Sequence, residues 1–400
     1  MRDHRRVVIV GGGIAGWTVA ASLRDGGYDG AIVVIERESA CYDRPPLSKT
    51  ALVDHAQLND LAFADDAKLA ELRIDARVGR TATALDAALL SVALEDGESV
   101  AGDAVVLATG ALARMPSFPG AQLPRVSTLR TYADAVTLQA LVGRSVAVVG
   151  AGLIGAEAAA ALRQAGSEIV LIDPNKAPGV RAFGPTMAEH LHAMHAAHSV
   201  DTRMDSIAVV TTASGRLRVG LAHGEPIVVD GVLVGTGIVI DTALADSAGL
   251  EVDEGIVVDD AGRTSAPGVF AVGDATRRRL STGLAASRGH WEAARLDGRA
   301  VAAAILDQMP QPRGADWFWS DRYGHHIEVV GDMAGDGEVV RPGPHPTAFR
   351  VDGDLLVGAC SVDDPMTVRA ARRLIDRAVP VTVDQLTDPH VPLRSLLARG

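Results

Sequence analysis

Four hundred residues, 48% of them apolar and 22% charged, suit a folded enzyme of two or three domains and exclude a disordered or fibrous chain. A formal net charge of −12 argues against a nucleic-acid binder, because composition forces no long basic face. The two cysteines, Cys41 and Cys360, lie far apart and make no CxxC, which excludes a disulfide scaffold and a neighbouring-dithiol centre and suits a reducing cytoplasm.

The chain opens on Val7-Val8-Ile9-Val10, a β-branched run suited to a buried parallel strand, which ends at Gly11-Gly12-Gly13-Ile14-Ala15-Gly16. Helical spacing then runs through Leu23, and Ala31 to Ile35 reads as a second strand closed by Glu36. Strand, glycine loop, helix, strand and terminal acid in this order make a dinucleotide fingerprint. Gly11 allows the tight turn, Gly13 lets backbone approach a pyrophosphate, Gly16 lets the helix pack on the strand, and Glu36 accepts from ribose hydroxyls. The helix N-terminus stabilises the phosphate charge. Arg5-Arg6 before this run mimics an export signal, even a twin-arginine one. The three glycines inside the run fit a nucleotide turn better, so a cytoplasmic chain is expected. No other apolar stretch reaches the length of a membrane span.

Tyr42-Asp43-Arg44-Pro45-Pro46-Leu47-Ser48-Lys49 follows. Its two prolines fix φ and remove two donors, so the stretch can be neither helix interior nor central strand. A rigid loop presenting Arg44 and Lys49 is expected.

The fingerprint then repeats. Val146 to Val149 leads into Gly150-Ala151-Gly152-Leu153-Ile154-Gly155, an alanine-rich helix to Gln164, and a strand from Glu168 that ends at Asp173. Two complete fingerprints imply two dinucleotides, most economically FAD and a nicotinamide. Asp173 suits a ribose 2′-hydroxyl and repels a 2′-phosphate, and Pro174 follows it rather than an arginine, so NADH is expected over NADPH. Lys176 and Arg181 lie close by and keep NADPH open. Glu157 falls, by this spacing, in the first turn of the second helix.

Further on, Ala104 to Gly110 and Gly231 to Gly237 resemble the strands that close the two halves of two-dinucleotide flavoproteins, and Gly255 to Asp259 and Thr264 to Asp274 resemble the return to the FAD half. Trp317-Phe318-Trp319-Ser320-Asp321 concentrates aromatics in a chain with only 4% of them. Alternation from His326 to Val330, strands around Phe349 and Leu355 to Val357, and a helix from Met366 to Arg377 suggest a small α+β domain.

The proline-rich octet, the Ala-Thr-Gly strand end at 108–110, Gly273-Asp274 and the Trp-Phe-Trp run together resemble the FAD-dependent NAD(P)H ferredoxin and rubredoxin reductases over essentially the whole chain. The resemblance implies an α/β fold of the two-dinucleotide, glutathione-reductase-like kind. Two Rossmann-like domains, FAD-binding over 1–111 and 243–316 and NAD(P)H-binding over 112–242, would precede a C-terminal α+β domain over 317–400. It implies that hydride passes from NADH to FAD, which then gives single electrons to a 2Fe-2S ferredoxin or rubredoxin feeding a cytochrome P450 or Rieske oxygenase. It assigns Gly11, Gly13, Ala15, Gly16, Glu36, Arg44, Lys49, Ala82, Ala108, Thr109, Gly110, Arg130, Gly273, Asp274 and Trp319 to FAD. To the nicotinamide nucleotide it assigns Gly150, Gly152, Leu153, Ile154, Gly155, Asp173, Arg181 and Gly237. A Lys49–Glu157 pair near the flavin and a stacking Trp319 would act in catalysis. No metal ion and no membrane are expected, and the chain would be a monomer or homodimer.

Two stretches depart from the family pattern: Ile240-Asp241 where Pro-Asn is usual, and Ser287-Arg288-Gly289-His290-Trp291, which lacks an acid. Arg277-Arg278-Arg279 and Arg369, Arg372 and Arg373 are candidate docking charges for an acidic iron–sulfur partner. His190, His192, His195 and His198 are expected on a solvated helix. Two other readings remain: an NADH oxidase or peroxidase using Cys41, whose spacing fits a structural cysteine better, and an FAD- and NADH-binding signalling flavoprotein.

Overall fold

The computed structural model describes residues 5–287 and 289–397. The chain divides into two compact units. One comprises the chain up to Pro45 with Ala56–Leu112 and Ile238–Arg313; the other comprises Pro46–His55, Ala113–Gly237 and the chain from Gly314.

The first unit is built on a five-stranded parallel sheet. Its spatial order is Val269–Ala271, Ala104–Leu107, Arg6–Val10, Ala31–Glu36 and Ile74–Val78. Val8 stands opposite both Val33 and Val105, and Val7, Val8 and Ile9 are wholly buried. A strand covered on both faces needs apolar residues at every position, which is why this one reads as an unbroken run. Val7 and Ile9 face a core with Val19 and Leu23 of the helix Ile14–Asp25 and with Val301 and Ile305 of the helix Trp291–Ile305. Val8 and Val10 face the other way, into Leu85, Val92 and Val100 of a small antiparallel sheet. Each such side chain contributes about 1.5–3 kcal/mol by burial.

In the second unit a parallel sheet runs Asp201–Met204, Glu168–Asp173, Ser145–Val149, Gly231–Val234, Val126–Thr128. The helix Leu153–Gln164 follows the second glycine loop, and a three-stranded antiparallel sheet packs on Ala147, Val149, Val232 and Val234. The same unit holds a five-stranded antiparallel sheet in the order Trp317–Arg322, His325–Gly331, Leu355–Val362, Thr347–Asp352, Glu338–Arg341. The helix Pro365–Asp376 buries Val368, Ala371 and Leu374 against it. Phe183, Met187, Leu191 and Met194 share a core with Phe318, Ile327, Val329 and Cys360 of that sheet.

Three local expectations change. The proline-rich octet is not all loop, because Pro45–Ser48 forms one 3₁₀ turn. Both prolines sit in that first turn, where a missing N–H costs nothing. Glu157 lies in the second turn of its helix rather than the first, since the helix begins at Leu153 after Gly152. The helix Pro185–Ala197 is not solvated all round: His195 is 1% exposed. Arg277, Arg278 and Arg279, the candidate docking charges, lie on a strand, Thr276–Leu280. No helix among the described residues is long and apolar enough to cross a membrane.

Candidate functional site

The first glycine loop is closed by backbone contact. Gly11 has φ +108°, and a Cβ there would lie 2.2 Å from the Ala108 carbonyl oxygen, while a Cβ on Gly16 would lie 2.0 Å from the oxygen of Gly11. The Cα face of Gly13 is open by comparison, its nearest neighbour being Arg44 Nε at 4.0 Å. No side chain caps the helix that begins there, so its first N–H groups remain available to an anion. Glu36 is 5% exposed and binds the loop itself: Oε2 accepts from the Gly12 N–H at 2.6 Å and Oε1 from the Glu38 N–H at 2.9 Å. Arg44 donates to Glu38 Oε1 at 2.8 Å and lies over the Tyr42 ring. Burial works against its charge, but the neighbouring Tyr42 and Glu38 outweigh it and hold the guanidinium above its usual range.

Ala15 packs against Gly273, whose φ is +71° and whose added Cβ would lie 2.9 Å from the Ala15 methyl. Asp274 follows in the short turn Gly273–Ala275. Asp297 holds that turn, accepting from the Gly273 N–H at 3.2 Å and pairing with Arg313; burial pushes its carboxyl up against that pairing. Asp297 was not legible as a site residue; its neighbour Gly298 gave no signal for it. Thr109 Oγ1 donates to the Asp241 carbonyl at 2.6 Å and the Asp241 N–H to the Gly110 carbonyl at 3.1 Å, so one departure from the family pattern closes on the Ala-Thr-Gly strand end. Ala82 begins the small antiparallel sheet and packs on the core. Arg288, in the other departure, lies outside the described residues.

The second loop repeats this geometry. Gly150 has φ +91°, a Cβ on Gly155 would lie 1.9 Å from the Gly150 oxygen, and a Cβ on Gly152 would meet nothing. Asp173, 8% exposed, accepts from the Ala151 N–H at 2.8 Å through Oδ2, just as Glu36 binds Gly12. Its Oδ1 accepts from the backbone and side-chain amides of Asn175 at 2.9 and 2.8 Å. Asn175 was missed, although Asp-x-Asn is an Asx-turn signal. Leu153 and Ile154 open the helix. Gly237 has φ +105°, Arg181 is exposed on the short helix Val180–Phe183, and Lys176 pairs with Glu189 at 3.7 Å. Open glycine faces, uncapped helix starts and buried terminal carboxylates fit a dinucleotide at each loop.

Within the second unit a charge cluster gathers around Lys49. Its ammonium lies 3.6 Å from Glu157 Oε1, as the family resemblance implies, but 2.6 Å from Asp321 Oδ2. Glu157 is 6% exposed and accepts from Ser48 Oγ at 2.6 Å, Ser320 Oγ at 2.8 Å and the Asp321 N–H at 3.2 Å. Trp319 stacks on Trp317 at 5.2 Å, with Lys49 Nζ 5.7 Å from its ring centre. Arg130 sits in this unit just before the helix Tyr132–Leu138, its N–H on Asp134 at 2.9 Å.

The remaining candidates behave differently from their charge or type. Cys41 is buried, and burial with the nearby Glu36 carboxylate pushes its thiol up to about 12. Arg277 pairs with Asp253 at 3.0 Å and Glu254 at 3.3 Å, Arg278 with Asp260 at 3.6 Å, and Arg279 with Glu251. Three positive charges meet four negative ones, so the expected positive patch is neutralised where it stands. Arg369 and Arg373 are exposed and Arg372 half-buried on the helix Pro365–Asp376. His195 Nδ1 lies 2.6 Å from the Tyr323 hydroxyl, and His198 stacks on the Tyr323 ring.

The sequence profile of the pyridine nucleotide-disulphide oxidoreductases matches residues 5–294, and that of a reductase C-terminal domain matches 317–397. The ferredoxin–NAD(+) reductase subunit of the benzene 1,2-dioxygenase system of Pseudomonas putida is 33% identical, covering 99% of this chain and 98% of that protein. Rhodocoxin reductase of Rhodococcus erythropolis is 33% identical over 98% of this chain and 94% of its own. Among solved structures, the covalent putidaredoxin reductase–putidaredoxin complex superposes with a TM-score of 0.93 at 29% identity, covering 99% of this chain and 98% of that one.

Proposed function

Since the chain belongs to the pyridine nucleotide-disulphide oxidoreductases, we propose that it is an NADH-dependent ferredoxin reductase. Its partner on this reading is a 2Fe-2S ferredoxin or rubredoxin that serves a cytochrome P450 or Rieske oxygenase. One observation carries the reading: two dinucleotide cradles of the same build occur in one chain, each with a buried acid bound to the second residue of its glycine loop.

A flavin bound at the first cradle supplies two-electron oxidation of reduced nicotinamide and one-electron delivery to an iron–sulfur centre. The protein's part is to bind and orient. Gly13 and the helix start behind it take the pyrophosphate, Glu36 the adenosine ribose, Arg44 the phosphate charge, and Asp274 the ribitol. Gly152, Gly155 and Asp173 do the same for the nicotinamide nucleotide. Asp173, its Oδ1 fixed by Asn175, is an acid at the strand end, a residue type that suits a ribose 2′-hydroxyl and disfavours a 2′-phosphate, which supports NADH over NADPH. Lys49, Glu157 and Trp319, which cluster within the second unit, are the residues assigned the catalytic role on this reading. Residues 1–111 and 243–316 form the FAD-binding domain, 112–242 the nicotinamide domain and 317–400 the C-terminal domain.

The test is spectroscopic and then kinetic. Purified protein should carry or take up FAD, be bleached by NADH, and reduce cytochrome c only when a ferredoxin is added. Protein that binds no FAD sinks the reading; cytochrome c reduction indifferent to ferredoxin removes the partner.

A further inference from the structure

The stretch after the strand Ala31–Glu36 holds a small network that the dinucleotide fingerprint does not contain. Glu38 is pinned through its backbone: its N–H donates to Glu36 Oε1 at 2.9 Å, and its carbonyl accepts from the Gly79 N–H at 2.8 Å. Residues 41–43 are held as well. The Phe63 N–H donates to the Cys41 carbonyl at 3.0 Å, the Asp43 N–H to the Leu61 carbonyl at 2.9 Å, and Tyr42 pairs with Ala62 across an antiparallel bridge. From this fixed backbone three side chains close a triangle. Glu38 Oε1 accepts from Arg44 Nη2 at 2.8 Å, Glu38 Oε2 accepts from the Tyr42 hydroxyl at 2.6 Å, and Arg44 Nη1 donates to that hydroxyl at 3.4 Å. The guanidinium carbon lies 5.3 Å from the centre of the Tyr42 ring. Tyr42 is buried, whereas the Arg44 side chain keeps 25% exposure, so an incoming anion can reach it. Nε of the same guanidinium is the neighbour that a Cβ on Gly13 would meet first. Every one of these residues belongs to the first unit.

We infer that Glu38 and Tyr42 are positioning residues that hold the Arg44 guanidinium beside Gly13 before a dinucleotide arrives. The inference rests on the reading above that gives Arg44 the phosphate charge of FAD. An arginine side chain is rich in rotamers, and freezing it at the moment of binding costs affinity that a prior anchor restores. Glu38 spends both oxygens on this anchor, one on the cation and one on the phenol over which the cation lies. The fork is thus gripped at its Nη edge, with Nε toward the glycine loop. The carboxylate also has a contrary effect, because its negative charge offsets that of Arg44 and repels a pyrophosphate. Glu36 adds negative charge near Arg44 too, and none of the variants below alters it. Water reaches Arg44 and weakens charge repulsion there, while the charge-assisted bond at 2.8 Å is direct, so the grip outweighs the repulsion. The two effects have opposite signs on flavin retention, which makes them separable.

The measurement is the rate at which FAD leaves the diluted holoenzyme, followed by the fluorescence of the released flavin; among variants of one site, affinity follows this rate. E38A should speed release about tenfold, equal to about 1.4 kcal/mol. E38Q keeps an acceptor for Arg44 without the charge and should fall between E38A and the wild type. Y42F removes only the hydroxyl and should speed release about threefold. Should E38A not fold, E38Q and Y42F carry the same test. In an R44A background E38A should add less than about twofold, because the side chain it positions is gone. Release from E38A and E38Q at the wild-type rate or slower overturns the inference and leaves Glu38 as a charge that does not help to hold the ligand. An E38A effect as large with R44A as without it overturns the inference too, since a general loosening of the fold gives that result. R44A protein that releases FAD at the wild-type rate shows instead that Arg44 does not hold the phosphate, and the reading beneath the inference fails.

Discussion

Cys41 offers a sharp quantitative test, because its environment decides whether this chain has a protein thiol in its redox chemistry at all. The side chain is 8% exposed, and Gly12 packs so near that a Cβ there would lie 2.3 Å from the sulfur. Burial, with the Glu36 carboxylate adding to it, lifts the thiol from 9.0 to about 12. The thiolate is the reactive species, so this rise cuts its population at pH 8 about a thousandfold relative to an ordinary cysteine. Iodoacetamide alkylation of the folded protein, followed by peptide mass spectrometry, should then be slower at Cys41 than in the guanidinium-unfolded chain by at least that factor. Cys360 does not confuse the measurement: it is wholly buried, and burial pushes its thiol up as well. Cys41→Ser should retain ferredoxin-dependent turnover. Alkylation within about tenfold of the unfolded rate, or faster alkylation once NADH is added, would refute the reasoning and favour the oxidase or peroxidase reading.

Four further outcomes are expected. Glu157→Leu strips the acceptor from Ser48, Ser320 and the Asp321 N–H and leaves buried Arg322 without its neighbouring negative charge. It should cost about 3–5 kcal/mol in denaturant unfolding, and a loss below about 1 kcal/mol would show that the carboxylate is not the hub of this network. Burial first, then Arg322 and neighbouring histidines, lowers His195 from 6.5 to about 3, so below pH 6.5 the unfolded chain binds a proton that the folded chain does not. Stability should therefore fall as pH drops through that window, and His195→Phe should flatten the fall seen in melting temperatures at pH 7 and pH 5. Asp173→Ser should narrow the preference in kcat/KM for NADH over NADPH by about tenfold, equal to about 1.4 kcal/mol; an unchanged ratio would move the determinant to Lys176 or Arg181. Reversing Arg369 and Arg373 to Glu should slow ferredoxin-dependent turnover about tenfold at low salt, with NADH bleaching of the flavin as the control; an unchanged rate would discard this helix as the docking face.

What could be seen in the sequence and what could not follows the range of each interaction. A fingerprint is local: strand, glycine turn, helix and terminal acid all fall within about thirty residues, so both cradles could be read from contiguous patterns. Glu36 and Asp173 could be picked out because the fingerprint places an acid at a strand end, and both lie buried against their own glycine loops. Asp321 and Lys49 are 272 positions apart, and their contact depends on a hairpin register that places the acid on the tryptophan face. No local pattern carries that information. The arginine run is an intermediate case. Its neutralisation arises because Ile256–Val258 pairs in parallel with Thr276–Leu280, bringing up Glu251, Asp253, Glu254 and Asp260. Those acids stand just upstream in the sequence, so a local charge sum over 251–279 would have shown a strand bound to its own neighbours rather than a free basic patch. His195 was legible too, by a different rule. Met187, Leu191, Met194 and His195 follow the i, i+4, i+7, i+8 spacing of one buried helical stripe. Counting histidines as polar hid that stripe, whereas asking which face of the helix each one shares places His195 in the core and leaves His190 outside it.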